Sequence, residues 1–437
     1  MDKKMKILVV GSGGREHAIT WRLAQDECKH DLFCAPGNAG TAAIATNVEI
    51  GAEDVEGIAD WAKANKPDMV VVGPEAPLCK GLADALAEVG VKTFGPCKAG
   101  ARMEGSKAFA KDVMISAGVP TAKAKTFTDA DEAKAELDEW GLPVVIKADG
   151  LAAGKGVIIA ETKEQAIAAI DDMLVDNKFG SAGAEVLIEE FLEGEECSIL
   201  ALVDGANAVL LPSSQDHKRV FDGDKGPNTG GMGAYSPAPV VTSERLPVIR
   251  DQIILPVVRE LAKRGIVYKG VLYAGLMINN AGGKKALNGS DVNVLEFNAR
   301  FGDPETEAVL PRIGGNFAKV LESCADGTLK DEDVVVKDQA AATVIIAAGG
   351  YPGSYEKGMK ISGLEEAAKV ENAVVFHCGT KKSGDDVVTA GGRVLSVTAL
   401  GDDLRQAVDS AYKAVGKISF DNSFHRTDIA HRAFGRG

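Results

Sequence analysis

The chain has 437 residues, of which 45% are hydrophobic and 26% charged, and its formal net charge is −14. This length predicts about two to four domains, and the composition is that of a globular chain rather than a disordered one. Because a negative field repels duplex nucleic acid, no nucleic-acid partner is expected, although local basic residues could still bind a phosphorylated small molecule.

Cysteine usage and hydropathy point to a cytoplasmic protein. The seven cysteines are scattered, odd in number and never in a Cys-x-x-Cys pair. This argues against a disulfide framework and a thiolate metal site, and it favours a reducing compartment. No stretch of 18 apolar residues occurs, and residues 1–6 are polar, so neither a membrane span nor a signal peptide is expected. The ordinary surface composition favours a monomer.

The first third of the chain alternates apolar runs with helical spacing. Strands are predicted at 6–10 and 69–73, and helices at 15–26 and 78–89. This pattern is typical of a doubly wound parallel sheet, in which ligands bind beyond the carboxyl ends of the strands.

The rest of the chain predicts a helix at 106–117, a smaller strand-and-helix unit, a region of strands and Gly-rich loops, and a mixed C-terminal region. The predicted domains are 1–121, 122–193, 194–328 and 329–437. The further predicted strands are 122–127, 143–147, 157–160, 186–190, 342–347 and 393–400, and the further helices are 130–140, 163–175 and 404–415. The fold class is therefore multidomain, α/β and α+β, with an N-terminal doubly wound parallel sheet and a small mixed C-terminal domain.

The loop Gly11-Ser12-Gly13-Gly14 follows the first strand. Glycines there allow a backbone to approach a ligand phosphate at a helix N-terminus. Glu16 stands where the dinucleotide fingerprint needs glycine, which disfavours a nicotinamide cofactor. A phosphosugar site is favoured, and a simple tight turn remains the alternative.

A second Gly-rich loop joins two predicted strands at 147–157, Lys-Ala-Asp-Gly-Leu-Ala-Ala-Gly-Lys-Gly-Val. Unhindered backbone N–H groups and two lysines can surround phosphate oxygens. The loop is not a P-loop, since no Gly-Lys-Ser/Thr and no following helix occur. The pattern predicts a lid over a nucleotide, with a flexible hairpin as the alternative.

The acidic segment 189–196 ends a strand soon afterwards. Its backbone could read an adenine edge and a carboxylate could hold ribose hydroxyls, but acidic runs of this kind are more often solvated turns.

Glu296 and Asn298 fall on one face of a predicted strand, with Arg300 two residues further on. Oxygen ligands at this spacing suit Mg²⁺, which binds carboxylates and nucleotide phosphates together. The guanidinium could neutralise a transferring phosphoryl group. A structural salt bridge is the alternative.

The polar run 214–219 and the Gly-dense run 226–235 predict a substrate pocket. His217 alone is weak evidence for catalysis, and no Ser-His-Asp, Cys-His or zinc-binding pattern is present.

Together these motifs resemble the ATP-grasp enzymes and, within them, the phosphoribosylamine–glycine ligase family. The resemblance covers essentially the whole chain and rests on long motifs. They are Gly-Ser-Gly-Gly-Arg-Glu-His at 11–17, Ala-Pro-Gly-Asn-Ala-Gly-Thr at 35–41, Val-Gly-Pro-Glu-Ala-Pro-Leu at 72–78, Glu-Gly-Ser-Lys-Ala-Phe at 104–109, 147–157, Ser-Gln-Asp-His-Lys-Arg at 214–219, 226–235, Glu-Phe-Asn-Ala-Arg-Phe-Gly-Asp-Pro-Glu-Thr at 296–306 and Ala-Ala-Gly-Gly-Tyr-Pro-Gly at 347–353.

The resemblance implies ATP-grasp central domains and an activity that joins glycine to 5-phosphoribosylamine through glycyl phosphate. ATP and Mg²⁺ (or Mn²⁺) are the implied cofactors. The implied catalytic residues are Arg300, Asp216 and Lys218. The implied ATP-binding residues are Lys107, Lys147, Gly154, Lys155, Gly156, Glu189, Phe191, Leu192 and Glu196. The implied substrate-binding residues are Gly11, Gly13, Gly14, Asn38, Pro74, Glu75, Asp216, Gly302 and Asp303, and the implied metal ligands are Glu296 and Asn298.

Three other interpretations stay open at this point: an ATP-grasp ligase for another acid–amine pair, a dinucleotide-dependent dehydrogenase, and a non-catalytic nucleotide-binding subunit. No general base stands out. The Gly/Asn/Lys-rich segment Asn279–Asn293 looks longer than the family's usual hairpin and is interpreted as a surface extension.

Overall fold

The computed structural model describes residues 3–151, 156–176, 178, 180–279 and 291–435. Gly154, Lys155 and most of the 279–293 segment lie outside these ranges. Within them the fold is multidomain and mixes α/β with α+β layers, which confirms that part of the predicted fold class.

The N-terminal region is a parallel sheet of five strands in the order β3-β2-β1-β4-β5. Its elements are β1 (Lys6–Gly11), α1 (Gly14–Ala24), β2 (Asp31–Pro36), β3 (Thr46–Asn47), α2 (Val55–Asn65), β4 (Met69–Val72), α3 (Glu75–Lys80), α4 (Leu82–Glu88), β5 (Thr93–Phe94), α5 (Lys98–Gly105) and α6 (Lys107–Ser116). The helix predicted at 78–89 is two helices, because Gly81 has a φ of +95° and ends α3 in the left-handed region.

The next region is a four-stranded antiparallel sheet in the order β6-β9-β7-β8. Its elements are β6 (Ala124–Phe127), α7 (Ala130–Glu136), β7 (Val144–Ala148), β8 (Val157–Ala160), α8 (Lys163–Ile170) and β9 (Val186–Glu190). Lys147 pairs with Val157, so the Gly-rich loop does join two adjacent strands as predicted. Both helices are shorter than predicted, since α7 continues as a 3₁₀ turn and α8 as a π turn.

The third region centres on an antiparallel sheet in the order β11-β10-β16-β17. Its elements are β10 (Glu195–Asp204), β11 (Ala208–Leu210), β12 (Gln215–Asp216), β13 (Arg219–Phe221), β14 (Lys225–Asn228), β15 (Gly233–Ser236), α9 (Arg245–Ile249), α10 (Leu255–Lys263), β16 (Lys269–Ile278), β17 (Val292–Asn298), α11 (Glu305–Val309), β18 (Ile313–Gly314), α12 (Phe317–Asp326) and β19 (Val335–Val336).

The C-terminal region adds a five-stranded sheet in the order β12-β15-β20-β24-β21, so it includes two strands from earlier in the chain. The remaining elements are β20 (Ala340–Ala347), α13 (Leu364–Ala368), β21 (Ala373–His377), β22 (Thr380–Ser383), β23 (Asp386–Thr389), β24 (Arg393–Gly401), α14 (Leu404–Val415) and α15 (His431–Phe434). The domain boundaries drawn from the sequence stay a prediction.

Alternation along β1 explains how the first and third regions join. Ile7 and Val9 pack in one buried cluster with Leu200, Leu202 and Phe301. The intervening residues of β1 point to the opposite face and pack against α2, α3 and α4. The shared core places the end of β17 beside the carboxyl edge of the parallel sheet.

Candidate functional site

The site begins at the end of β17. Glu296 and Asn298 lie on one face and are both half-buried, as the strand period predicts. Glu296 pairs with Gly275 across the sheet, whereas Val294 pairs with Leu276, so Leu295 is an extra residue in a β-bulge. Bulges of this kind re-aim side chains near active sites. A side chain at Gly275 would come within 3.2 Å of the Glu296 Cγ, so glycine leaves that carboxylate its space.

These two residues fit a magnesium ion. Among the described residues, the Glu296 carboxylate and the Asn298 amide have no hydrogen-bond or ion-pair partner. The carboxylate oxygens and the amide oxygen are therefore available to bind a metal ion. His, Cys, Asp and Glu side chains in the described ranges form no group of three that could hold a metal. Two protein oxygens with phosphate and water completing the shell is the arrangement Mg²⁺ ordinarily takes beside a nucleotide.

Arg300 is held by two carboxylates from the N-terminal region. Its Nε lies 3.2 Å from Glu75 Oε2, and its Nη2 lies 2.7 Å from Glu104 Oε1. Glu104 also accepts the backbone N–H of Ala299 at 2.7 Å. Burial raises the pKa of Glu104 to about 7 against the attraction of Arg300. Burial also opposes ionisation of Glu75, but Arg300 and Arg15 outweigh it and lower the pKa of Glu75.

Lysines from two regions converge on the same strand. Lys147 Nζ lies 2.7 Å from Glu189 Oε2 and donates to the Leu295 carbonyl at 3.3 Å, one residue before Glu296. Lys107 Nζ donates to the Gly150 carbonyl at 3.1 Å, at the start of the Gly-rich loop. Burial lowers the pKa of Lys107, and Glu296 partly offsets this effect. Both ammonium groups thus lie near the end of β17 that carries Glu296.

The Glu189 carboxylate is ion-paired with two lysines. It is buried, and its second carboxylate oxygen lies 3.3 Å from Lys111 Nζ. Burial opposes ionisation, but Lys147 and Lys111 outweigh it and lower the pKa of Glu189. Both carboxylate oxygens are therefore occupied by lysines, and the backbone of Glu189 is paired within the sheet, opposite Ala124 and Val145. Gly156, at the other end of the Gly-rich loop, is hydrogen-bonded through its carbonyl to Ala148.

An apolar surface follows β9. Leu192 is buried with Ala122 and Met277, and Leu295 packs against them. Phe191 beside it is half-buried. An apolar wall of this kind suits a flat ring such as adenine.

A polar cluster, in which Asp216 and Glu305 are buried and Lys218 and Glu196 are half-buried, lies on the neighbouring strands. Lys218 is ion-paired with Glu196, and burial together with nearby charges raises the pKa of Asp216 to about 7. The Glu305 carboxylate accepts hydrogen bonds from Ser198 at 3.1 Å and Tyr273 at 3.0 Å. Charged or polar side chains from four separate segments thus face one another without an apolar layer between them.

The N-terminal glycine loop is organised around Glu16. Gly11 has a φ of +127°, and a Cβ there would lie 2.4 Å from the Glu16 Cγ. The Gly13 N–H donates to Glu16 Oε2 at 2.6 Å, and Arg15 pairs with Glu16 Oε1 at 2.6 Å. A Cβ at Gly14 would collide with the Glu307 carboxylate. The glycines therefore make room for buried carboxylates as well as for any ligand.

The other predicted substrate-binding residues flank this loop. The Asn38 amide donates to the carbonyls of Ser12, at 2.9 Å, and His377, at 2.7 Å. Asp303 is ion-paired with Arg393 at 2.9 Å.

Arg15 connects this loop to the segment after β17, because its Nη1 donates to the Phe301 carbonyl at 3.1 Å. Pro74 lies at the N-terminus of α3 just before Glu75, and Gly302 lies where a Cβ would meet Glu305. The structure thus connects Arg15, Arg300 and the N-terminal loop, and it adds Glu16, Glu104 and Glu305, which motif reading did not single out.

Comparison with known proteins agrees with this geometry. Family models for phosphoribosylglycinamide synthetase match the chain at residues 5–104 (N domain), 105–306 (ATP-grasp domain) and 341–432 (C domain). The chain belongs to the phosphoribosylglycinamide synthetase family. The predicted ATP-grasp fold class and the predicted family are therefore confirmed, and the protein is an ATP-grasp ligase.

Full-length relatives support the same family. The phosphoribosylamine–glycine ligase of Halalkalibacterium halodurans is 48% identical over 98% of this chain and 97% of its own length. The Escherichia coli O157:H7 enzyme of the same name is 49% identical over 99% of both chains.

Solved structures extend the likeness to the fold. The phosphoribosylamine–glycine ligase of Thermotoga maritima has a TM-score of 0.84 at 34% identity and covers 97% of this chain and 100% of its own. A biotin carboxylase domain from Hydrogenobacter thermophilus has a TM-score of 0.73 at 18% identity, over 97% of this chain and 92% of its own, and shares the fold alone. None of the helices in the described ranges has the length and apolar character needed to cross a membrane.

Proposed function

We propose that the protein joins glycine to 5-phosphoribosylamine at the expense of ATP, giving glycinamide ribonucleotide, ADP and phosphate. The observation that carries this proposal is the full-length relation, at 48–49% identity, to ligases of that name. The convergence of Lys147, Glu296 and Arg300 supports it, because a phosphoryl transfer needs cations and metal-binding oxygens at one place.

The nucleotide would lie between the Gly-rich loop and β17. Lys107 and Lys147 would neutralise its phosphates. Gly156, together with Gly154 and Lys155 outside the described residues, would cover them. Glu189, Phe191, Leu192 and Glu196 would hold the adenine and ribose, and Glu296 and Asn298 would hold Mg²⁺ or Mn²⁺. When bound, the metal supplies charge neutralisation at the phosphate oxygens.

The chemistry would then take place beside Arg300. A carboxylate oxygen of glycine attacks the γ-phosphorus of ATP, the bond to ADP breaks, and glycyl phosphate forms. The guanidinium stabilises the negative charge of this acyl phosphate. The amine of 5-phosphoribosylamine attacks the carbonyl carbon, the C–O bond to phosphate breaks, and the amine loses a proton as the amide forms.

The polar cluster and the N-terminal loop would position the substrates. Asp216 and Lys218 would contact the glycine or the incoming amine. Gly302 and Asp303, with the residues preceding α1 and α3, would hold the phosphosugar. Those preceding residues are Gly11, Gly13, Gly14, Asn38, Pro74 and Glu75.

We further propose that the protein works as a cytoplasmic monomer without nucleic-acid or membrane partners. The acidic net charge of −14 favours this view. The four-domain division at residues 121, 193 and 328 is part of the same proposal.

The test is phosphate release from ATP and Mg²⁺ with glycine and freshly made 5-phosphoribosylamine, each omitted in turn. Release that needs both substrates, with glycinamide ribonucleotide identified by mass, is the expected result. Release with another acid–amine pair, and none with this one, would overturn the substrate assignment while leaving the ligase family intact.

A further inference from the structure

None of the roles proposed above explains the contacts of the Glu104 side chain. It lies at the end of α5, and its side chain is only 7% exposed. One carboxylate oxygen binds the Arg300 guanidinium and the other binds the backbone N–H of Ala299. A single carboxylate therefore holds both the Arg300 side chain and the Ala299 backbone, just after the end of β17.

The guanidinium of Arg300 depends on this contact for its orientation. Its Nε faces Glu75 and its Nη1 donates to the Phe301 carbonyl at 3.2 Å, so Glu104 holds the remaining nitrogen, Nη2. Two carboxylates on different edges fix a planar guanidinium, whereas one carboxylate leaves it free to pivot.

The segment that carries Glu104 is itself firmly held. Ser106 caps α6 and its hydroxyl donates to Asp149 at 3.1 Å. The backbone N–H of Lys107 donates to the Asp149 carbonyl at 3.1 Å. A carboxylate at the end of a helix whose following residues are held by Asp149 is a suitable anchor for a second side chain.

We propose that Glu104 is a positioning residue that holds the Arg300 guanidinium where the acyl phosphate forms. This inference rests on the proposed function, since it assigns Glu104 a role in the same reaction. Glu104 acts through Arg300 and does not touch the substrates. A misplaced guanidinium leaves the acyl phosphate less well held, so water competes with the amine for it.

The first test compares Glu104→Gln with wild type by measuring phosphate and glycinamide ribonucleotide in the same reaction. The assay is run above pH 7, where Glu104, with a pKa of about 7, is mostly ionised, so glutamine keeps an acceptor for Ala299 but loses the charge that holds Arg300. We expect kcat to fall about tenfold to a hundredfold with the KM for ATP unchanged, and more phosphate than product to appear. Glu104→Asp, which restores the charge on a shorter side chain, should recover part of the loss.

A matched control is available at Asp26. This buried carboxylate also binds an arginine, Arg22 at 2.9 Å, and backbone N–H groups, those of Phe317 and Ala318, but it lies away from the site. Asp26→Asn should lower the melting temperature and leave phosphate equal to product. If the control uncouples the reaction as strongly as Glu104→Gln does, the positioning role is wrong.

A double variant with Arg300→Lys separates action through the arginine from other effects. We expect the kcat loss of the double variant to be much smaller than the product of the two single-variant losses, because Glu104 acts through Arg300. Multiplicative losses, or an unchanged phosphate-to-product ratio in a folded Glu104→Gln, overturn the inference. If Glu104→Gln does not fold, the same ratio in Glu104→Asp decides. Wild-type protein that makes no glycinamide ribonucleotide would instead overturn the proposed function.

Discussion

The substitution Glu189→Gln tests the idea that one buried carboxylate holds Lys147, a proposed phosphate-binding lysine, together with the neighbouring Lys111. The Glu189 side chain is 5% exposed, and the side chains of its partners Lys147 and Lys111 are 9% and 6% exposed. Glutamine is nearly isosteric, so packing is retained, but the charge that both ammonium groups face is lost.

The expected cost follows from the burial of the pair. Removing one partner of a buried ion pair costs about 3–5 kcal/mol. Burial already lowers the pKa of Lys111, so that lysine can release its proton instead of remaining charged and unpaired. We therefore expect the lower end of this range, about 3 kcal/mol.

The stability that Glu189 contributes should be lost at acid pH. The pKa of Glu189 is lower in the folded protein than in the unfolded chain, because Lys147 and Lys111 outweigh burial. The stability it contributes is therefore present above the unfolded carboxyl pKa of about 4.3 and is lost as the pH falls through the folded value. The difference between wild type and variant should be constant near neutral pH and shrink below about pH 4.3.

Urea unfolding followed by Trp140 fluorescence measures this locally, since Trp140 packs against the core of the sheet that contains β9. A Trp21→Phe/Trp61→Phe background leaves this tryptophan alone. The control is Glu136→Gln, which breaks a 2.8 Å pair with Lys125 on the surface and should cost about 1 kcal/mol or less. A loss for Glu189→Gln no larger than that of the control would refute the reasoning.

The remaining predictions concern the metal, the reaction's pH dependence and the N-terminal loop. Glu296→Gln should raise the Mg²⁺ concentration needed for half-maximal phosphate release, since it removes the charged ligand; an unchanged Mg²⁺ curve would contradict its role. Wild-type kcat/KM should fall as the pH drops below about 7, where Asp216 and Glu104, whose pKa values burial raises to about 7, become neutral; Asp216→Asn should be less active and keep only the part of this acid limb that Glu104 contributes. Gly11→Ala should destabilise by more than about 3 kcal/mol, because the methyl adds a collision with Glu16 to a φ of +127°. Gly90→Ala, with a φ of +73° and open space around it, should cost only about 1–2 kcal/mol; urea unfolding of both variants measures the two losses.

Motif reading predicted the segments of the proposed site, because the patterns that indicate them are local. The strand period places Glu296 and Asn298 on one face, and the half-buried pair is found there. Apolar runs before Gly11 and Gly73 predict buried parallel strands, and β1 and β4 are adjacent in the sheet. In each case the neighbours that matter lie within a few residues along the chain.

Element ends were harder to predict from sequence. The helix predicted at 78–89 breaks at Gly81, where the left-handed backbone starts a new helix axis. A glycine within an otherwise periodic helical pattern gives only a weak indication of a break. The choice between a continuous and a broken helix depended on packing against the sheet and α5.

The sequence by itself determined the fold class and the family and predicted the segments of the proposed site, because periodicity and motif spacing are properties of neighbouring residues. Only the tertiary structure decided which groups hold the site in place. Glu104 meets Ala299 across a separation of 195 residues, and Lys147 meets the Leu295 carbonyl across 148. Glu16 likewise explains the glycines around it only once the loop is folded over its carboxylate. Such contacts depend on where the sheets pack together, and no local pattern encodes the distance between side chains so far apart in the chain.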